Sequence, residues 1–227
     1  MADSLRTNAI VLRRTNYGEA DRIIQVITPT AGKISVMARS VRKEKSRLAG
    51  GIELFAVCDL VLHIGKGEIA TLTGAKLKTV YDKIILDYDR LQFAYEAIKQ
   101  ISKAAEQINE PEFFDLLQES LATLNDSRVK LKIVQTWFYL KLAKYLGNEL
   151  NTATDNNGMK LVEDANYRFD ANDQTLVFDE KGKYGSQHIK ILRLMADNPP
   201  AIIAKVSDVE DYLDDCLRLA QIVAKIW

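Results

Sequence analysis

The chain has 227 residues, 47% of them hydrophobic, and its 31 Lys+Arg cancel 31 Asp+Glu to a formal net charge of zero. That apolar fraction can bury a core and excludes a largely disordered chain, and no apolar run approaches the ~20 residues that span a bilayer. Two distant cysteines, Cys58 and Cys216, make no disulfide scaffold, and the first residues open onto no signal-peptide core, so a cytoplasmic protein is expected.

The zero balance hides an asymmetry. Residues 1–80 carry 13 Lys+Arg against 7 Asp+Glu, and residues 81–227 carry 18 against 24. A basic module joined to an acidic one points to a polyanion partner for the first half.

The first eighty residues read as strands. Ala9-Ile-Val-Leu12 and Arg22-Ile-Ile-Gln-Val-Ile-Thr28 are rich in β-branched residues, and Lys33-Ile-Ser-Val-Met-Ala38 alternates. Asn16-Tyr17-Gly18 and Thr28-Pro29-Thr30-Ala31-Gly32 are turn signals between them. A run from Leu54 to Ile64 then turns through Gly65-Lys66-Gly67 into Ile69-Ala70-Thr71-Leu72-Thr73. Five short strands favour a small barrel, because closure removes their edges. In or beside the third connection lie Lys33, Arg39, Arg42, Lys43, Lys45 and Arg47, opposed only by Glu44.

From Leu86 the period becomes helical. Leu91, Ala94, Tyr95, Ile98, Ile101, Ala105 and Ile108 form a stripe, and Pro111 introduces a second helix through Phe113, Leu117, Leu121 and Leu124. Ser127 is expected to cap a third helix ending at Leu146-Gly147, which is apolar on most sides and therefore central. Tyr167–Asp170 and 175–179 read as a hairpin. Ser186 starts a helix through Ile189, Leu192 and Met195, stopped at Asn198-Pro199-Pro200, and Ser207-Asp-Val-Glu210 reads as the capping box of the last one.

Catalytic patterns are missing. There is no phosphate-cradling G-x-x-x-x-G-K-[ST] loop, and neither His63 nor His188 belongs to a nucleophile–base motif. Both cysteines read as packing residues, and the acidic run Asp208, Glu210, Asp211, Asp214 and Asp215 as a helix start matched to its dipole rather than a metal site. No enzyme activity, cofactor or metal is expected.

The string Ala9-Ile-Val-Leu-Arg13…Tyr17-Gly-Glu-Ala-Asp21…Thr28-Pro-Thr-Ala-Gly-Lys33-Ile-Ser-Val-Met-Ala38 resembles the amino-terminal domain of the bacterial DNA repair protein family RecO. The resemblance continues through Arg42-Lys43-Glu44-Lys45-Ser46-Arg47-Leu48-Ala49-Gly50, Leu54-Phe55 and Gly65-Lys66-Gly67-Glu68-Ile69-Ala70-Thr71-Leu72. It implies an α+β protein: a five-stranded OB-fold β-barrel over residues 1–80, then an α-helical domain over 81–227 with a hairpin lobe at about 148–185. It also implies a nucleoid-associated recombination mediator that binds single- and double-stranded DNA, anneals complementary strands, and works with RecR and the single-strand-binding protein SSB to load RecA.

Two departures from the family stand out. Many members carry a zinc site of paired cysteines after the third helix, whereas residues 147–190 here contain no cysteine. The central helix has Thr136-Trp137-Phe138-Tyr139 where relatives often have an arginine before an F-E-x-x-L-L-like run, leaving Lys132 or Lys141 to supply charge for an SSB tail.

Only two aromatics, Tyr17 and Phe55, occur in residues 1–80, so DNA contact is expected mainly through phosphates, at Lys33, Arg39, Arg42, Lys43, Lys45 and Arg47. Tyr17, Gly18 and Asp21 read first as structure, with Gly18 in the turn and Asp21 bonding nearby N–H groups. Trp137 and Trp227 read as packing residues. The alternatives are a protein-binding adaptor that uses its acidic helical half, and an RNA-binding OB module.

Overall fold

The computed structural model describes residues 3–65, 67 and 69–225, which divide into two compact units between Asn125 and Asp126. In the first unit five strands, β1 (Asp3–Tyr17), β2 (Asp21–Thr28), β3 (Gly32–Ala38), β4 (Ala56–Ile64) and β5 (Ile69–Val80), close a barrel in the order β1-β2-β3-β5-β4. All neighbours are antiparallel except β3 and β5. This is the expected OB-fold barrel, and with the helices that follow it makes the protein α+β.

The outer strands run longer than their β-branched stretches. β1 spends its first half on β4 and its second on β2, and a bulge between Val11 and Arg13 bends it from one partner to the other. β5 continues past Thr73 because Lys76 and Lys78 stand outward while its ladder to β4 persists. Inside, the period of two sets Ile24 and Val26, Val36 and Ala38, and Cys58, Leu60 and Leu62 into one apolar cluster.

Two helices pack with this barrel. In α1 (Tyr88–Gln107) the Asp87 carboxylate accepts from the Arg90 N–H at 3.1 Å, and Phe93, Ala94, Ala97, Ile98, Ile101 and Ala104 are buried. The buried face is turned away from the expected stripe: Tyr95 is half exposed, and the edge of its ring meets buried Phe55 with centroids 5.0 Å apart. α2 (Glu112–Leu124) follows Pro111 and buries Phe113, Leu117 and Leu121. Buried Arg90 closes its end by donating to the Leu124 carbonyl at 2.9 Å.

The second unit is built on α3 (Leu131–Tyr145), which buries Ile133, Val134, Trp137 and Phe138 and packs mainly on α6 (Leu213–Val223). Two expected caps are corrected. Ser127 does not start α3, because Asp126 binds the Arg128 N–H at 3.0 Å and turns the chain before Leu131. Nor does the Ser207 capping box form: Asp208 takes a left-handed φ of 61°, Glu210 pairs with Lys130, and α6 begins only at Leu213. The acidic run is thus partly paired, with Asp214 on Lys132 at 2.5 Å and Asp215 on Lys183 at 2.6 Å. Gly147, at φ 83°, ends α3 as expected.

The lobe after α3 holds together without thiolates. β6 (Tyr167–Asp170) and β7 (Thr175–Phe178) form the expected hairpin, and the Tyr167 hydroxyl accepts from the Val162 N–H at 3.0 Å. Asp155 gathers the N–H groups of Asn157 and Met159 at 2.8 and 2.9 Å. Gly182 is pressed so close to the Tyr167 backbone that a Cβ there would lie 2.4 Å from its carbonyl carbon. Trp137 is buried as expected; Trp227 lies outside the described residues.

In α4 (Ser186–Asp197), followed by the single turn α5 (Pro200–Ile203), Ile189, Leu192 and Met195 are buried as the pattern predicts. His188 sits in the first turn of α4, where its Nδ1 accepts from the Gly185 N–H at 3.3 Å and its ring meets Tyr184 and Tyr212 edge-on. Burial lowers its pKa from 6.5, against the opposing pull of Asp215, and Lys183 pushes the same way as burial. The unfolded chain therefore binds the proton more readily, so the second unit is expected to lose stability as pH falls from about 6.5 through the depressed folded value. Denaturant titrations at pH 7.5 and 5.5 test this. A His188→Gln protein, which keeps an acceptor, should show the smaller drop; equal drops would assign the loss to other groups.

Candidate nucleic-acid interface

The β1–β2 turn and the connection from β3 to β4 are tied into one assembly. Gly18 supplies a left-handed φ of 53° at the turn, and the Asp21 carboxylate accepts from the Ser40 N–H at 2.6 Å. Ser40 is itself left-handed at φ 52°, an unusual state for a residue with a Cβ, and the carboxylate holds it there. Next to it, the Arg42 N–H donates to the Ala20 carbonyl at 2.9 Å and its guanidinium to the Gly18 carbonyl at 3.2 Å. Beneath, Val41 and Ile52 are buried in the barrel core and Leu48 packs against it.

This anchoring leaves the charges outside. Arg39, Arg42, Lys43, Lys45 and Arg47 are all exposed, and among the described residues none of them is ion-paired. Exposed Glu44 is the one acidic residue within the stretch, and Glu53, further along the chain, is engaged by Arg14 at 3.0 Å. The structure thus brings five of the six expected residues together.

Lys33 stands apart. It lies at the opposite end of β3, roughly 20 Å along the strand by the rise per residue, with a side chain only 10% exposed. Its ammonium donates to the Ser102 carbonyl at 3.2 Å, the Ser102 hydroxyl at 2.9 Å and the Glu106 carboxylate at 2.5 Å, tying β3 to α1. That bond holds the Glu106 carboxyl below the usual range.

A second polar surface escaped the sequence reading. Arg6 of β1, Asp59 of β4 and Lys76 and Lys78 of β5 line a groove of about 600 Å³. Arg6 grips Asp59 at 2.5 Å and holds its carboxyl low, while Lys78 reaches Asn8 at 3.4 Å. The alternation Lys76-Leu77-Lys78 was the available signal. Internal pairing leaves this groove less net charge than the loop.

Thiol chemistry is disfavoured: burial pushes Cys58 up to about 11 and Cys216 up to about 12. Among the described residues no three His, Cys, Asp or Glu side chains gather as a metal site, and no helix is long and apolar enough to cross a membrane. Within the second unit Lys141 donates to the Ala196 carbonyl at 2.6 Å and, with Lys144, lines a small cleft beside Leu140, Leu150 and Leu192.

A closed five-stranded OB barrel bearing an anchored cationic loop defines the class of module. Residues 1–81 match the family model described as "Recombination protein O N terminal". A DNA repair protein RecO from Alkaliphilus metalliredigens is 30% identical over 146 residues, 63% of this chain and 58% of that protein. Others from Roseiflexus sp. and Dehalococcoides mccartyi are 37% and 33% identical, over 53% and 63% of this chain and 42% and 56% of theirs. The first 81 residues are therefore similar to a Recombination protein O N-terminal domain, as the resemblance implied. The chain spans about half the length of these relatives.

Proposed function

We propose that the protein is a non-catalytic recombination mediator of DNA repair, binding single- and double-stranded DNA through phosphates at Arg39, Arg42, Lys43, Lys45 and Arg47. The observation that carries this reading is the exposure of five cations, in no ion pair among the described residues, on a loop whose backbone is fixed to the β1–β2 turn. Cations held in place lower the repulsion between two strands without occupying their base edges, which is what annealing needs. RecR and SSB are the partners in this reading, and RecA the recombinase loaded. Of the two lysines considered for an acidic SSB tail, Lys132 is paired with Asp214, and Lys141 donates to the Ala196 carbonyl beside the Lys144–Glu149 pair, so SSB contact in this reading rests on no preformed cationic pocket.

The test is annealing of complementary oligonucleotides, bare and SSB-coated, across a salt series. Against wild type, an Arg39/Arg42/Lys43/Arg47→Ala protein should lose annealing, and its log–log salt slope on a single strand should flatten by about 0.7 for each phosphate contact removed. Normal binding by the quadruple variant would refute the phosphate reading. Annealing of bare strands alone would remove SSB from it.

A further inference from the structure

Tyr17 does not pack into the barrel. It is the last residue of β1 and is 55% exposed, whereas Phe55, the other aromatic of residues 1–80, is 6% exposed and committed to Tyr95. Neither side of the turn it belongs to is loose. The Gly18 carbonyl next to it accepts from the Arg42 guanidinium, and Asp21, its cross-strand partner, holds Ser40. The backbone that carries this exposed ring is thereby tied to the 39–47 loop.

The register shows which surface the ring shares. After the bulge, alternation puts Arg13, Thr15 and Tyr17 on one face of β1, and Arg14 and Asn16 on the other. Directly opposed residues share a face, so Thr15, Ile23 and Met37 form one row across β1, β2 and β3, and Arg13, Gln25 and Ser35 another. Ile23 and Met37 are only half-buried. This is the strand-2 and strand-3 face on which OB barrels take oligonucleotides; its far end, at Ile27 and Lys33, is covered where Lys33 bonds α1, and the end beside the 39–47 loop is the part left partly open.

We propose that Tyr17 stacks an unpaired base of a single strand whose phosphates lie on the 39–47 loop, so that this surface favours single strands over duplex. The proposal rests on the phosphate-contact reading of the loop. Stacking needs a free base face, which every unpaired base offers and a base inside a duplex does not, so the preference is for strandedness and not for sequence. Gly18 and Asp21 set the position of the ring; Tyr17 itself makes the contact.

Fluorescence anisotropy of the full chain with a labelled mixed-sequence DNA single strand, and with its blunt duplex, separates the two ideas. Tyr17→Ala should weaken single-strand binding by about 5- to 150-fold and leave duplex binding and the salt slope nearly unchanged. Tyr17→Phe should keep single-strand affinity, because the ring and not the hydroxyl stacks, and an exposed position predicts unchanged melting for both variants. Equal losses on single strand and duplex, or a loss in Tyr17→Phe as large as in Tyr17→Ala, would overturn the proposal. Normal binding by Tyr17→Ala beside a defective Arg39/Arg42/Lys43/Arg47→Ala protein would overturn the stacking alone. Failure of wild type to bind either DNA would overturn the phosphate reading, and the stacking with it.

Discussion

Lys33→Met is expected to destabilise the first unit by roughly 1–3 kcal/mol, the net value of hydrogen bonds to a charged donor, and to leave the salt dependence of DNA binding unchanged. The reason is that the ammonium is sequestered: it satisfies both oxygens of Ser102 and the Glu106 carboxylate in a site that is nine-tenths covered. Lys33→Glu should cost more, since it sets a carboxylate against the Ser102 carbonyl and beside Glu106. Denaturant unfolding measures the first effect, and a salt series on the still-folded Met variant measures the second. A salt slope lowered by one phosphate's worth in Lys33→Met, with stability intact, would return Lys33 to the binding surface.

Asp21→Ala is expected to act at a distance of one bond from the cations. It leaves the Ser40 N–H without its acceptor and removes the contact that keeps Ser40 left-handed, at a local cost of about 1–3 kcal/mol. Residues 39–47 should then exchange their amide hydrogens faster, and DNA affinity should fall although every cation remains. Asp21→Asn keeps an acceptor oxygen and should recover most of both losses. Unchanged exchange in Asp21→Ala would mean that the Arg42–Ala20 bond and buried Val41 hold the loop unaided.

Much of the fold was legible because it rests on short-range patterns. The alternation of Ile34, Val36 and Ala38 marked β3, Phe113, Leu117 and Leu121 marked α2, and Gly147 marked the end of α3, since side-chain period and backbone preference act within a few residues. Helix starts were less legible at Ser127 and Ser207. A cap competes with whatever else its neighbours can bond, and Asp126 and Lys130 won those contests.

The binding loop divides along the same line. The cluster of Arg39, Arg42, Lys43, Lys45 and Arg47, and the scarcity of aromatics near it, are properties of the amino-acid order, and so is the strand content that closes the barrel. Which cations face solvent is not, because an ammonium shows no sign in the sequence of the acceptors that will meet it. Lys33 found Ser102 and Glu106, 69 and 73 residues away, and Asp21 found Ser40 across the barrel's rim. Tyr17 was left uncovered by the same process. Contacts between residues so far apart exist only once the chain has closed, so the tertiary structure alone decided which charges bind inward and which are left for a partner.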